Sequence, residues 1–449
     1  MDVVGSVLQW IANNIFSQVP ILIGIIALVG LILQGKPLED VVAGTLRAVL
    51  GVVILFAGIS VFISGLVSFQ SIVAAAFSMK PPSSTSSMTT FMSSFGPSVA
   101  LIMAFGYFVH LMIVRIFNIR FVYLTGHLIF WMSLVVAATL VEAFPLIQQW
   151  ALVTAGSVTV GLYWTLQPMY IHRFMKKVTN QDLFGYGHTS SSVAFLAALL
   201  GRYVGNQETE STEAIELPKR LAFFKDVNVS TALIITVILL IAEAAAYMRG
   251  QFKAVTDAVA GTSLPGMNTY FSGMSIDTWI WGILAGLSFA AGVAILLYGV
   301  RMFLAEIVPA FKGISERLIP WARPALDVPM VFSYAPQAVM VGFVSGTIVF
   351  LVLMGVFAAV GWFVLVPPMI MLFFVGGGAG VFGNAFGGWR GAALGGAING
   401  LFLAVGQAVF WGMWSHTAPQ LATLADPDWY IIGGVLTIIA KAIKAVLGI

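Results

Sequence analysis

Between Gly51 and Phe69 the chain reads "GVVILFAGISVFISGLVSF", with no charged side chain, and similar runs recur towards its C-terminus. A segment this long and this apolar is a membrane-crossing helix, and a chain built from such segments is an all-α polytopic membrane protein. A transmembrane β-barrel is excluded, because barrel strands alternate apolar and polar residues and these runs do not. With 59% hydrophobic and 9% charged residues, and a mean hydropathy of +0.99, apolar runs long enough to span a bilayer recur from end to end. The first twenty residues contain no Lys or Arg. They lack the basic start of a cleaved signal peptide and are read as a retained helix.

Apolar segments and turn signals predict about eleven crossings, centred near residues 27, 56, 107, 132, 157, 237, 293, 350, 374, 402 and 438. Most basic residues then fall on one face, from Lys36 and Arg47 through Arg173, Lys176 and Lys177 to Lys441 and Lys444. Lys80, Arg249 and Lys253 fall on the other. The positive-inside rule places the N-terminus outside and the C-terminus in the cytoplasm. The net charge of +3 reflects this orientation, and no nucleic-acid partner is expected. The polar interval from Gln167 to Asp226 is expected to be a cytoplasmic loop or small elaboration.

The chain also resembles itself. "GVVILFAGISVFISGL", Gly51 to Leu66, aligns on "GVAILLYGVRMFLAEI", Gly292 to Ile307, with six identities in sixteen positions and an offset of 241. "SFGP" at Ser94–Pro97 matches "SYAP" at Ser333–Pro336 at an offset of 239. Five crossings separate the equivalent helices, an odd number, so the copies are expected to have opposite orientation. The implied architecture is an inverted 5+5 repeat, with halves at about 15–225 and 226–425 and an extra C-terminal helix at about 428–448, within one integral membrane protein spanning 1–449. In this architecture solute sites lie near the midplane, between interrupted helices. "PALDVPMVFSYAPQ" and "KPPSSTSSMTTFMSSFGPS" are therefore expected to be irregular or re-entrant.

Asp327, an acid within an apolar region, is the first candidate ligand. The structural alternative is a helix cap or an ion pair with Arg323. His127 in "LTGHLIF" and His188 in "GYGHTSSS" each follow a glycine, and imidazole can donate to or accept from a hydroxyl. The three have no metal-ligand spacing, so no metal or other cofactor is expected. Glu306 and Arg301 are expected to pair structurally. The glycine-rich "FVGGGAGVFGNAFGGWRGAALGGAING" has no phosphate-loop signature and is expected to pack helices closely around a break. There is no cysteine, hence no disulfide, no thiolate metal site and no phosphocysteine in this chain.

"RFVYLTGHLIF", "FGYGH", "GVRMFLAEIVPAFKGISERLIP", "ALDVPMVFSYAPQAVMVGFVSGTI" and "GVFGNAFGGWR" together resemble the ascorbate-type permeases, or enzyme IIC components, of the bacterial phosphotransferase system. The resemblance implies a homodimer in the lipid bilayer, with a substrate-binding core domain and a V-motif domain. It implies elevator-type uptake of L-ascorbate or a related carbohydrate, coupled to phosphorylation by a separate cytoplasmic enzyme IIB. The chain would then be a transport subunit without a phosphoryl-carrying residue of its own. The family's ligand histidines and aspartate correspond to His127, His188 and Asp327. Its other ligand positions correspond to Trp131, Thr189 and Phe56, and to Ile59, where the family has glutamines and a serine. These replacements leave an alternative open, a facilitator or ion-coupled transporter of another small solute on the same scaffold.

Overall fold

A computed structural model describes residues 18–76, 86–215, 226–260, 277–317 and 321–447, with a few isolated positions between them. Most of residues 1–17, Lys80, Ser83, and Lys219, Arg220 and Lys225 lie outside the described residues, and with them the readings they carried. The helices are α1 (Val19–Leu33), α2 (Leu38–Ala76), α3 (Met88–Ile116), α4 (Gly126–Ala143), α5 (Gln149–Thr179), α6 (Ser191–Val204) and α7 (Gln207–Glu210). They continue with α8 (Val227–Met248), α9 (Phe252–Val259), α10 (Thr278–Arg317), α11 (Pro329–Phe332), α12 (Pro336–Ala359), α13 (Met369–Met413), α14 (Leu421–Leu424) and α15 (Pro427–Leu447). Among the described residues, eight helices are long and apolar enough to cross a bilayer. Every one of the eleven expected crossing centres falls inside a helix.

Two of those centres, near 374 and 402, share α13. The helix is a hairpin, because Gly387 and Gly388 leave helical geometry, Gly388 with φ +58° and ψ −152°, a combination open essentially to glycine alone. Its arms then run back along each other. A Cβ on Gly383 would lie 2.1 Å from the Gly391 carbonyl oxygen, and one on Gly395 2.5 Å from that of Ala379. Because the bilayer supplies little hydrophobic drive between helices, this closeness of backbones is itself a source of association. The expected close packing around a break is what the segment does.

The helices sort into two bodies. One comprises α1, α2, α8, α9 and α10, and the other holds the remainder, with few contacts between them. In the first body α2 and α10 are antiparallel and glycine-spaced. A Cβ on Gly51 would lie 2.6 Å from the Phe303 nitrogen, and one on Gly58 2.3 Å from the Leu296 nitrogen. Glu306 pairs with Arg47 of α2 at 3.1 Å, so the expected pairing with Arg301 is replaced by a bond between helices.

The second body contains a feature not expected from the sequence, a three-stranded parallel sheet with strand order β1 (Phe121–Tyr123), β3 (Arg323–Leu326), β2 (Gly185–Tyr186). Extended backbone among membrane helices is tolerated only if its polar groups are satisfied by protein. The strands satisfy one another, and the edges are closed by side chains. The Tyr123 N–H donates to Nε2 of His110 at 3.0 Å, and Nε2 of Gln167 donates to the Tyr186 carbonyl at 3.1 Å.

At the strand starts, the Asp182 carboxylate lies between Arg120, which donates to it, and Arg323, 3.1 Å away. Nε2 of His172 approaches it at 3.0 Å and Nζ of Lys176 at 3.7 Å. Partial burial raises the Asp182 carboxyl, but the two guanidiniums outweigh it and hold it below its usual range.

The structure also revises other readings of the sequence. The interval from Gln167 to Asp226 is no simple loop, because it contains the end of α5, strand β2 and helix α6, whose inner face packs on α13. The hydroxyls of Ser191 and Ser192 at the start of α6 are bonded inside the protein, to Asp428. The stretch from Met88 to Ser98 is regular helix and not irregular, with Ser87 capping α3 through the Thr90 N–H and Pro97 accommodated within the helix. Arg323 pairs with Asp182, not with Asp327, since β3 is extended and carries the two residues to opposite ends of the strand.

Candidate functional site

The three parallel strands all point one way, so the residues after each strand emerge at the same end of the sheet. After β1 come Thr125, Gly126 and His127; after β2 come Gly187, His188 and Thr189; after β3 comes Asp327. Register brings these together, since Tyr123 pairs with Ala325 and Tyr186 with Leu326. The Gly187 N–H donates to the Leu326 carbonyl at 2.7 Å, and the Thr125 hydroxyl donates to the Gly187 carbonyl. Gly187 is needed for close approach, because a Cβ there would lie 2.8 Å from the Ala325 carbonyl oxygen. Residues distant in sequence thus become neighbours through backbone geometry.

Nδ1 of His127 lies 3.8 Å from one Asp327 oxygen, and Nε2 of His188 lies 3.6 Å from the other. Both separations exceed hydrogen-bond length, so the imidazoles approach Asp327 without consuming its acceptors. Its one side-chain hydrogen bond among the described residues is local, from the Val328 N–H at 2.7 Å. On its other ring nitrogen His188 meets the Ser190 hydroxyl at 2.8 Å, with Asp426 3.8 Å away. The remaining three of the five histidines have structural partners: His110 bonds Thr165, His172 meets Asp182 and His416 meets Glu142.

A cavity of about 360 Å³ opens on this group. That is near the lower end of small-molecule sites, which run from roughly 300 to 1,000 Å³. His127, His188, Asp327 and Asp426 supply its polar lining. Trp131 and Trp429 form one aromatic wall, stacked with ring centroids 5.6 Å apart, and Phe374, Ile370 and Met371 come from the first arm of α13. Phe56 of α2 is contributed by the other body, so the cavity lies on the seam between the two. A smaller cleft continues along that seam, with Ile23, Val52 and Phe303 facing Leu124, Leu326 and Met330.

Of the sequence candidates, His127, His188, Asp327, Trp131 and Phe56 line the cavity. Thr189 does not. It is fully buried behind the wall and donates its hydroxyl to Asp426. Ile59 belongs to α2, and its side chain lies outside the described residues.

Asp426 and Trp429 were missed because the segment after residue 425 was read only as an additional helix. The signal was present in "ADPDWY", two acids and a tryptophan at the head of an apolar run. Asp428 is a different case. It accepts from the Tyr163 hydroxyl at 2.7 Å, the Ser191 hydroxyl at 2.6 Å, the Ser192 N–H at 3.0 Å and the Ser192 hydroxyl. So saturated a carboxylate ties α5, α6 and α15 together.

Membrane-spanning helices, a broken hairpin and short extended segments around a polar pocket on a seam between two bodies define the class, a multi-pass membrane transport protein. Residues 14–428 match the family model described as the PTS system sugar-specific permease component, and the chain belongs to that family. It is 29% identical over 422 residues to the ascorbate-specific PTS system EIIC component of Mycoplasma pneumoniae (strain ATCC 29342 / M129 / Subtype 1). That alignment covers 85% of this chain and 63% of the relative, so the chain spans less than two thirds of the relative's length.

Proposed function

We propose that the chain is the membrane permease, or enzyme IIC, of an ascorbate-type phosphotransferase system, taking up L-ascorbate or a related carbohydrate through the cavity at the strand ends. The observation that carries this reading is the convergence of His127, His188 and Asp327 on one cavity, with acceptors left open. Hydroxyls of the solute would donate to Asp327, and the imidazoles would bind hydroxyl or enolate oxygens. Phosphorylation would come next on the cytoplasmic side, by a separate enzyme IIB, since this chain has no cysteine to carry a phosphoryl group.

Transport would proceed by an elevator movement of the body that holds the sheet against the body of α1, α2, α8, α9 and α10. The position of the cavity on the seam supports this, as do the sparse contacts between the bodies. The antiparallel pairing of α2 with α10 supports the inverted repeat. The first body would form the homodimer contact, and the N-terminus would lie outside. The absence of native cysteine gives a direct test. With Phe56→Cys and Met330→Cys introduced, cross-linking in proteoliposomes would stop uptake and reduction would restore it. Uptake that continues in the cross-linked protein would refute the movement.

A second reading, a facilitator or ion-coupled carrier on the same scaffold, draws on Trp131 and Thr189, which stand where the resemblance places glutamines. Uptake into vesicles free of any phosphoryl donor would favour it. Dependence on enzyme IIB and its phosphoryl donor would support the first.

A further inference from the structure

We propose that Ser190 is a positioning residue that holds His188 as its Nε2–H tautomer, so that this imidazole serves the cavity only as a hydrogen-bond donor to a solute oxygen. For the solute, this rests on the reading of the cavity as a carbohydrate site; for the tautomer it does not. Ser190 is the N-cap residue of α6, a place where serine ordinarily accepts from an N–H of the first turn, yet its side chain makes no such bond. Asp428 of α15 caps the helix instead, accepting from the Ser192 N–H at 3.0 Å. The Ser190 hydroxyl is left to bridge two other groups, the Tyr186 hydroxyl at 2.7 Å and Nδ1 of His188 at 2.8 Å. Tyr186, Ser190 and His188 are all buried, so each hydrogen in the chain needs an acceptor within the protein.

Counting those hydrogens fixes the direction of the chain. Among the described residues the Tyr186 hydroxyl has one hydrogen-bond partner, Ser190, and the Ser190 hydroxyl has two, Tyr186 and His188. When Tyr186 donates to Ser190 and Ser190 donates to Nδ1, both hydroxyl hydrogens are used. Were Nδ1 to carry a hydrogen and donate it to Ser190, Ser190 would have only Tyr186 to donate to, and the Tyr186 hydrogen would be stranded in the interior. A stranded buried donor is costly, and this cost falls on the Nδ1–H tautomer and the imidazolium alike. Asp426 offers Nδ1 no alternative acceptor, since at 3.8 Å it is beyond hydrogen-bond length. Nδ1 is therefore an acceptor, and the ring hydrogen sits on Nε2. Asp327 lies 3.6 Å from Nε2, also beyond a hydrogen bond, and the ring lines the cavity. A solute oxygen arriving there meets an N–H, and an enolate, carbonyl or hydroxyl oxygen can accept from it.

The test is solid-state NMR of the full chain in lipid bilayers at neutral pH with isotope-labelled histidine, because ring nitrogen and carbon shifts distinguish the two tautomers and the imidazolium. The His188 signal, assigned by its loss in His188→Gln, should be that of the Nε2–H tautomer before any solute is added. In Ser190→Ala, Nδ1 loses its donor and a second signal, from the Nδ1–H form, should appear. Calorimetry should then show the affinity for L-ascorbate falling at least about twofold, the factor for a binding-competent form reduced to half. Ser190→Thr, which keeps the hydroxyl, should restore both the single signal and the affinity. An Nδ1–H or imidazolium signal in the unaltered protein overturns the proposal. So does a Ser190→Ala protein that keeps the Nε2–H signal alone, since any loss of affinity would then be structural. Should Ser190→Ala fail to fold, the signal of the unaltered protein decides. An Nε2–H signal in a protein that binds no ascorbate defeats the ascorbate reading and not this inference.

Discussion

Nε2 of His188 lies 3.6 Å from Oδ1 of Asp327, and the two residues are brought there by neighbouring parallel strands, β2 and β3. Neither side chain is held by the other, and the gap is short enough for one solute oxygen to address both. Asp327 is thus an acceptor kept open by backbone architecture and not by an ion pair.

Asp327→Asn should therefore weaken solute binding and leave the fold intact. The loss should be about 1 to 3 kcal/mol, the range for leaving buried partners unmatched. Calorimetry with a bound carbohydrate would measure it, alongside size-exclusion and thermal-melting controls. A collapse of the protein would mean that Asp327 is structural.

The opposite end of the sheet makes a prediction about stability and pH. Asp182 is held below its ordinary value of 3.8, so its contribution is complete above that value and is lost as pH falls through the lower value of the folded state. Asp182→Asn should destabilise the protein by roughly 1 to 2 kcal/mol at neutral pH, allowing for solvent screening of this half-exposed cluster. The gap in melting temperature between the two proteins should close in acid below about pH 4. A constant gap from neutral pH into that range would show that packing, not charge, is responsible.

The α13 hairpin predicts a sharp contrast among glycines. Gly388→Ala would place a Cβ 2.3 Å from the Glu210 carbonyl oxygen at a φ of +58°, whereas Gly412→Ala meets nothing within 4 Å. Gly388→Ala should lower stability by about 3 kcal/mol or more, by strain and overpacking, and Gly412→Ala should be close to neutral. Thermal melting in detergent separates them, and similar melting temperatures would rule out the tight turn.

Trp131 predicts a change in binding with little change in fold. Trp131→Ala removes the partner of Trp429 and widens the cavity, so affinity for a ring-shaped solute should fall by about tenfold, as loss of an aromatic platform implies. Binding isotherms for a cyclic sugar and an open-chain alditol would test this, with the larger loss for the ring. An equal or absent effect would place the solute elsewhere in the cavity.

The helical fold was legible because apolar length is a strong signal, and the crossing centres fall within helices. His127, His188 and Asp327 were legible too, as polar residues in apolar or glycine-marked surroundings. What joins them was not. Strands of two to four residues are too short to show alternation, and β2 lay within an interval that its charged neighbours made look like a surface loop. Thr189 looked like a ligand because the resemblance places a glutamine ligand there, yet its hydroxyl is committed to Asp426 behind the wall. Asp426 itself went unseen because helix patterning divides a chain into crossings and gives no weight to the residue just before one.

The most direct test of the site is equilibrium binding of the purified protein to a panel of ascorbate, alditols, aldoses and sugar acids, repeated with the His127→Ala/His188→Ala double variant. At least one carbohydrate should bind, and the double variant should lose it while keeping its melting temperature. Binding that survives in the double variant would contradict the assignment of the site.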